Sequence, residues 1–482
     1  MLFNSLAYLL FLPFTAVIYY CLPHRFRWIF LLAASYVFYM AWRPELITLL
    51  LFSTFVNYYA ARHIYRSQDP AARKRTLSLC LWISFGLLFV FKYLSFFSQS
   101  LRALAGWARL PYPVPDFNLI LPMGISFYTF QTASYAIDVY KGAYPAEENF
   151  WKVSLFTTFF PQLVAGPIER ANTLMNQLFQ DKKPKQENFI LGGKYLLLGF
   201  FKKAVIADRL SIPVNAVFNT PQYYPGLPSI IAVFFFAFQI YCDFSGYSDI
   251  AVGSAKLLGV DLTQNFRQPY FSAGIRAFWR RWHVSLSSWL KDYIYIPLGG
   301  SRVPSLRHAV NRMSAFLISG LWHGADWTFV LWGGLHGFYQ IIEDHVGKNV
   351  ASPKRRASQN FLVSGFQRCV TFGLVCFAWI FFRANSLGDA FTIIRHLPSG
   401  LGQWHNRQYL YEVLTGMKVN LADILIDTGL IFILLLIDGT DAFAKMERAP
   451  ACLRIGFYAV LAVLIMAFGV YYNAGQFIYF QF

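Results

Sequence analysis

Apolar residues run along this chain in long blocks separated by short basic stretches. A helix needs about 20 apolar residues to cross a bilayer. Runs near that length occupy 2–22, 28–42 (short), 44–65, 76–97, 119–140, 189–207, 228–244, 313–342, 360–382, 421–438 and 455–472. They predict about ten or eleven transmembrane helices, with 313–342 readable as one element or two. Tyr19, Tyr20, Trp42 and Tyr471 sit at run ends, where interfaces favour aromatic rings. The first run starts without a basic leader and no small-residue cleavage site follows it, so it is expected to be a retained span. Two stretches break the pattern. Residues 151–170 and 261–312 are half apolar and rich in Trp, Pro, Gly and Arg. They are too polar to face lipid, and irregular backbone at membrane depth requires protein or water around it. These are expected to be re-entrant or broken helices.

The expectation is an all-α integral membrane protein forming one polytopic domain over 1–482. Within it, 1–140 holds the N-terminal spans, 141–345 the core with the broken segments, and 346–482 the C-terminal spans. Composition agrees: 56% of residues are hydrophobic and only 14% charged, against about 25% charged in soluble chains. The mean hydropathy is +0.41. The net charge of +18 would suggest nucleic acid in a soluble protein, but here the cations cluster in loops between apolar runs, where they set orientation and meet lipid head groups. Arg25 and Arg27 follow the first run. Arg62, Arg66, Arg73, Lys74 and Arg75 oppose a single Asp69 after the third. If the spans alternate, both loops fall on one side, which is then expected to be cytoplasmic, with the N-terminus outside, periplasmic in a Gram-negative cell. Lys182, Lys183, Lys185, Lys354, Arg355 and Arg356 are compatible with this. The six cysteines are scattered without zinc or redox spacing, and no internal repeat of the inverted-transporter kind is visible.

Four segments carry candidate chemistry. Leu317–Ala325 contains His323 between Gly320 and Gly324. An imidazole in an apolar span is either a helix-bridging core residue or a general base with a pKa near working pH. Phe278–Tyr293 packs Trp279, Trp282 and Trp289 with Arg280, Arg281, His283 and Lys291. This suits a head-group helix, or a site where Arg280, Arg281 or Lys291 holds a phosphate-bearing donor. The turn Pro297–Arg302 is a weak candidate for amides bent towards an anion. Gln239–Ile250 places Asp243, Ser245, Tyr247, Ser248 and Asp249 after an apolar run. Each buried Asp would cost about 2.5–3.5 kcal/mol unless water or partners meet it, so this segment reads as a tunnel lining or an orienting network. Phe160–Arg170 holds two prolines and reads as broken. His336 lies thirteen positions beyond His323 and cannot share its helix face without a kink; it reads as structural. No HExxH, dinucleotide glycine fingerprint or CxxC occurs, so no metal site and no bound cofactor is expected.

Taken together, Phe160–Pro167, Asp243–Asp249, Phe278–Ser287, Tyr295–Gly300 and Gly320–Gly324 resemble the membrane-bound O-acyltransferase (MBOAT) family, in its bacterial AlgI branch of alginate O-acetylation proteins. The resemblance covers most of the chain. Glu169 before Arg170 departs from the apolar residue expected there. The resemblance implies helices around a central tunnel, His323 as the catalytic histidine and His283 as the second. Beside these, Trp322, Arg280, Arg281, Lys291, Asp243, Ser245, Tyr247, Ser248 and Asp249 are candidates for donor binding or tunnel lining. Acetyl-CoA is the donor the resemblance implies, the acceptor partner is a periplasmic SGNH-type protein, and the product is an O-acetylated exopolysaccharide such as alginate. The same chemistry serving peptidoglycan remains open, as does a transporter or flippase with His323 as a proton relay.

Overall fold

The computed structural model describes residues 1–115, 117, 119–164, 166–350, 361–446, 448–471, 477 and 478. Ala165 and the basic residues Lys354, Arg355 and Arg356 lie outside the described residues. Among those described, regular structure is helical and no strand occurs.

Among the described residues, Pro70–Trp107, Leu227–Leu257, Leu362–Arg383 and Ala451–Phe468 are long and apolar enough to cross a membrane, and the pair Arg407–Gly416 and Leu421–Gly439, bent by 75°, adds a fifth if it is one span. The remaining apolar runs form helices that are shorter or more polar. Ile125–Tyr140 has 16 residues and buries Thr129, Gln131, Thr132 and Ser134 within the protein. It starts six residues later than the run at 119–140 suggests. Gly124 there adopts φ 74°, and a Cβ at that position would lie 2.9 Å from the Leu163 carbonyl oxygen. The run at 228–244 does not stop at its polar end: the helix continues to Leu257. The run at 189–207 likewise passes through a π-helical turn at Phe201–Ala207 into Asp208–Asn219.

The chain divides into two compact units. The first comprises Met1–Leu196 and Tyr247–Thr263. Its two pieces are joined by a 2.6 Å hydrogen bond between the Tyr8 and Ser254 hydroxyls, and by Phe3 packed on Tyr8, Phe38 and Tyr247. Glu169 is buried here, and its Oε1 accepts from the Thr263 amide at 2.6 Å. An acid after Gly-Pro therefore ties one broken segment to the loop beyond Leu257.

The second unit comprises Leu197–Gly246 and Gln264–Phe482. Trp282, Trp332 and Trp379 are fully buried in its core, with Trp332 and Trp379 stacked at 5.7 Å. Such ring pairs contribute about 0.5–1.5 kcal/mol beyond their buried area. Lys203 is buried between Asp208 at 2.8 Å and Asp243 at 2.6 Å, and the second oxygen of Asp243 accepts from the Ile478 amide at 2.8 Å. Buried charges persist only when paired in this way.

The run at 313–342 resolves into two helices, Ser305–His323 and Trp327–Val350. Their backbones meet at glycines. A Cβ on Gly320 would stand 2.2 Å from the Phe329 carbonyl oxygen, and one on Gly333 would stand 2.3 Å from that of Phe316. Gly320→Ala and Gly333→Ala are each expected to destabilise the protein by about 1–3 kcal/mol through overpacking. Gly334→Ala, where the nearest atom is 3.7 Å away, is expected to melt with the wild type. Thermal unfolding in detergent, followed by tryptophan fluorescence, checks the contrast.

Candidate active site

His323 ends its helix because the chain must turn there. Gly324 is extended, and a Cβ on it would overlap the Phe329 ring at 2.1 Å. Asp326 then starts the next helix by accepting from the Thr328 amide at 2.8 Å. The result is a buried imidazole at a helix terminus, 2% exposed, walled by aromatic rings. Trp322 lies 5.0 Å away, Trp332 meets it perpendicularly at 4.9 Å, and Phe382 is at 5.4 Å.

His283 occupies the turn between Ile275–Trp279 and Val284–Leu290 in a left-handed conformation, φ 43°. That backbone costs a non-glycine residue about 1–3 kcal/mol and persists only where the surroundings impose it. Asn265 imposes it here. Its carbonyl accepts from the Val284 amide at 3.0 Å and its Oδ1 from the Ser285 amide at 3.1 Å. The ring packs edge-on against Phe244 at 4.6 Å and against Trp322 at 5.7 Å, and lies 6.4 Å from His323 between centroids. Burial pushes the His283 imidazole down to about 3, since desolvation disfavours the cation. It is therefore neutral at ordinary pH.

A cavity of about 460 Å³ opens in the same unit. Its wall includes Trp279, Phe316, Ser319 and Gln340, and its cations are Arg276, Arg280, Lys291 and Arg312. Two of these are already neutralised: Arg276 pairs with Glu343 at 3.4 Å and with Asp344 at 2.8 Å, and Arg312 also pairs with Asp344. Arg280 and Lys291 are exposed and form no ion pair among the described residues. Ser319 stands one helical turn before His323, on the same helix face.

A family model described as the membrane-bound O-acyltransferase family matches residues 147–382, which include both histidines and the cavity. The chain is 37% identical over 427 residues to the probable alginate O-acetylase AlgI of Pseudomonas aeruginosa, covering 87% of this chain and 79% of that protein. It is 33% identical over 422 residues to the peptidoglycan O-acetyltransferase of Helicobacter pylori, covering 82% and 78%. The teichoic acid D-alanyltransferase of Bacillus subtilis is 26% identical over 297 residues, covering 58% and 73%. The chain belongs to the membrane-bound O-acyltransferase family. It is thus a multi-pass membrane protein and an O-acyltransferase, which sets aside the transporter reading.

The structure of this MBOAT protein separates the residues that its sequence groups together. Arg280 and Lys291 line the cavity, whereas Arg281 does not; the Arg281 carbonyl instead accepts from the Arg267 amide at 2.9 Å. Trp322 touches both histidine rings. Asp243 holds Lys203 and the Ile478 amide, and Ser245 is fully buried two residues on. Tyr247, Ser248 and Asp249 continue the same helix but belong to the first unit, where Tyr247 stacks on Phe3 at 5.5 Å. The Pro297–Arg302 turn spends its amides internally: Gly299 donates to Ile296, Gly300 to Tyr295 and Arg302 to Gly299. His336 accepts at Nδ1 from Nε1 of Trp279, a cavity-lining residue, at 3.2 Å, and Trp332 packs against both it and His323.

Sequence alone singles out neither Asn265 nor Ser319. Ser319 was detectable, being four residues before His323 on one helix. Asn265 had no local signal, because its partners lie nearly twenty positions away. Asn265→Ala removes the Oδ1 acceptor and leaves the Ser285 amide buried without it, at about 1–3 kcal/mol. The expected outcome is a lower thermal midpoint together with reduced acyl transfer, measured on the same preparation. An unchanged midpoint would show that the His283 turn does not depend on this side chain.

Proposed function

We propose that this protein is an inner-membrane O-acetyltransferase. It takes acetyl groups from a cytoplasmic thioester donor, acetyl-CoA, and passes them to a periplasmic SGNH-type partner for O-acetylation of an exopolysaccharide such as alginate. The observation that carries the reading is the pair of buried histidines sharing the Trp322 wall, with a cation-edged cavity reaching to within one helical turn of His323. Similarity to an alginate O-acetylase over most of both chains supports the acetyl group and the polysaccharide. The basic loops after the first and third apolar runs support a periplasmic N-terminus.

In this reading Nε2 or Nδ1 of neutral His323 takes the proton of the acceptor hydroxyl as its oxygen attacks the thioester carbonyl carbon. A C–O bond forms, and the tetrahedral adduct collapses with cleavage of the C–S bond. The imidazolium returns its proton to the departing sulfur, so His323 ends neutral. Proton transfer by a placed base is worth about 10²–10⁴ in rate. His283, kept uncharged by burial, adds no competing positive charge beside His323 and presents a second polar face to the reacting groups. Arg280 and Lys291 hold the donor's phosphates at the cavity edge. The Helicobacter relative favours one second reading, in which the same transfer serves peptidoglycan.

Purified protein, labelled acetyl-CoA and the partner protein test the assignment. His323→Ala is expected to lower transfer to the partner by about 10²–10⁴; equal labelling would overturn the role of His323. Donor kinetics separate the cations. Arg280→Gln and Lys291→Gln are expected to raise the donor KM more than they lower kcat, while Arg281→Gln stays near wild type. A kcat effect at Arg280, or a matching KM effect at Arg281, would count against phosphate binding in this cavity.

A further inference from the structure

Many serines and threonines inside the helices of this protein close their hydroxyls on the preceding turn, while Thr129, Ser245 and Ser319 do not, and of these three only Ser319 is among the cavity-lining residues. Ser35 donates to the Leu31 carbonyl at 2.7 Å, Ser254 to Ile250 at 2.7 Å, Ser288 to Val284 at 2.8 Å and Thr132 to Tyr128 at 2.9 Å. Ser319 does not. It is 1% exposed, sits inside Ser305–His323, and its Oγ has no hydrogen-bond partner among the described residues. A buried hydroxyl without a partner gives up its solvation with nothing to offset the loss. Ser319 is among the residues that line the cavity. The glycine contact at its neighbour Gly320 holds that stretch of helix in place, so the hydroxyl is fixed relative to His323.

We infer that Ser319 is a donor-binding residue that recognises the pantetheine arm of the thioester, through the amide nearest the sulfur. The inference rests on the reading that the reacting thioester lies at His323. Ser319 and His323 are separated by four helical residues, a rise of about 6 Å. In a pantetheine thioester two methylenes separate the sulfur from the first amide, which places that amide roughly 6 Å from the thioester carbon by ordinary bond lengths. A thioester seated at His323 with its arm running towards Arg280 and Lys291 therefore brings this amide to Ser319. Its carbonyl accepts from the Ser319 hydroxyl. The contact reads the arm rather than the nucleotide, so it suits coenzyme A and a phosphopantetheinylated carrier protein alike.

The test compares two small donors with the full-length protein in detergent. S-acetyl-N-acetylcysteamine keeps the amide, and S-pentyl thioacetate, of similar length, lacks it. Ser319→Ala is expected to lower kcat/KM about 3–10-fold for the first, mostly through KM, and to leave the second unchanged; Ser319→Thr, which keeps a hydroxyl, is expected to restore the first. Equal losses with both donors, or no loss with either, would overturn the proposal. Acetyl-CoA and an acetylated carrier protein are run beside them, and the donor with the larger wild-type kcat/KM is the source of the arm. Binding of acetyl-CoA is also measured in the His323→Ala background. There Ser319→Ala is expected to weaken Kd about 3–10-fold, and an unchanged Kd would count against the contact. That readout stands apart from turnover, so an active His323→Ala would overturn the role of His323 without deciding that of Ser319.

Discussion

Gly320 and Gly333 let the backbones of Ser305–His323 and Trp327–Val350 approach so closely that a methyl group on either would sit inside van der Waals contact with a carbonyl oxygen. In an apolar medium helix association draws little from the hydrophobic effect and much from close packing. This contact therefore does more than join two helices. It sets the depth of Ser319, His323, Trp332 and His336 together, because all four lie within one or two turns of it. Trp332, one of the three rings around His323, is delivered by the second helix and is only as well placed as that crossing.

A second layer of order comes from polar groups that hold turns and helix pairs. Asn265 fixes the left-handed His283, Asp326 starts the helix after His323, and Asp344 is shared between Arg276 and Arg312. That sharing shapes the cavity's charge. Of the four cations on its wall, two are balanced, so the attraction for an anion is concentrated on Arg280 and Lys291. Counting cations along the sequence would have credited Arg281 equally, although its neighbours place it elsewhere.

Sequence alone made the membrane class, the broken segments and both histidines legible, because each rests on a local signal: apolar length, paired prolines, or an imidazole flanked by glycine or tryptophan. The proximity of His283 to His323 was not legible from spacing, since forty positions and several turns separate them. Helix extent was the poorest reading. The polar string from Asp243 to Asp249 looked like the end of a span, yet the helix runs on to Leu257. The partners of that string, Lys203 among them, are supplied from far along the chain. The count of spans is less legible: Ile125–Tyr140 is an apolar run whose hydroxyls and amides are buried within the protein, so length and hydropathy alone do not fix its place in the bilayer.

Lys203 has a consequence for how the protein is made. Its ammonium is buried between Asp208, five residues on, and Asp243, which is synthesised later. A lone lysine at the centre of a bilayer costs about 2.5–3.5 kcal/mol on insertion scales, and Asp208 offsets only part of the problem by adding a charge of its own. The segment around Lys203 is therefore a poor solitary passenger through the insertion machinery. Lys203 has both of its carboxylate partners only once Leu227–Leu257 has brought Asp243 beside it, so the order of synthesis bears on when this charge is satisfied.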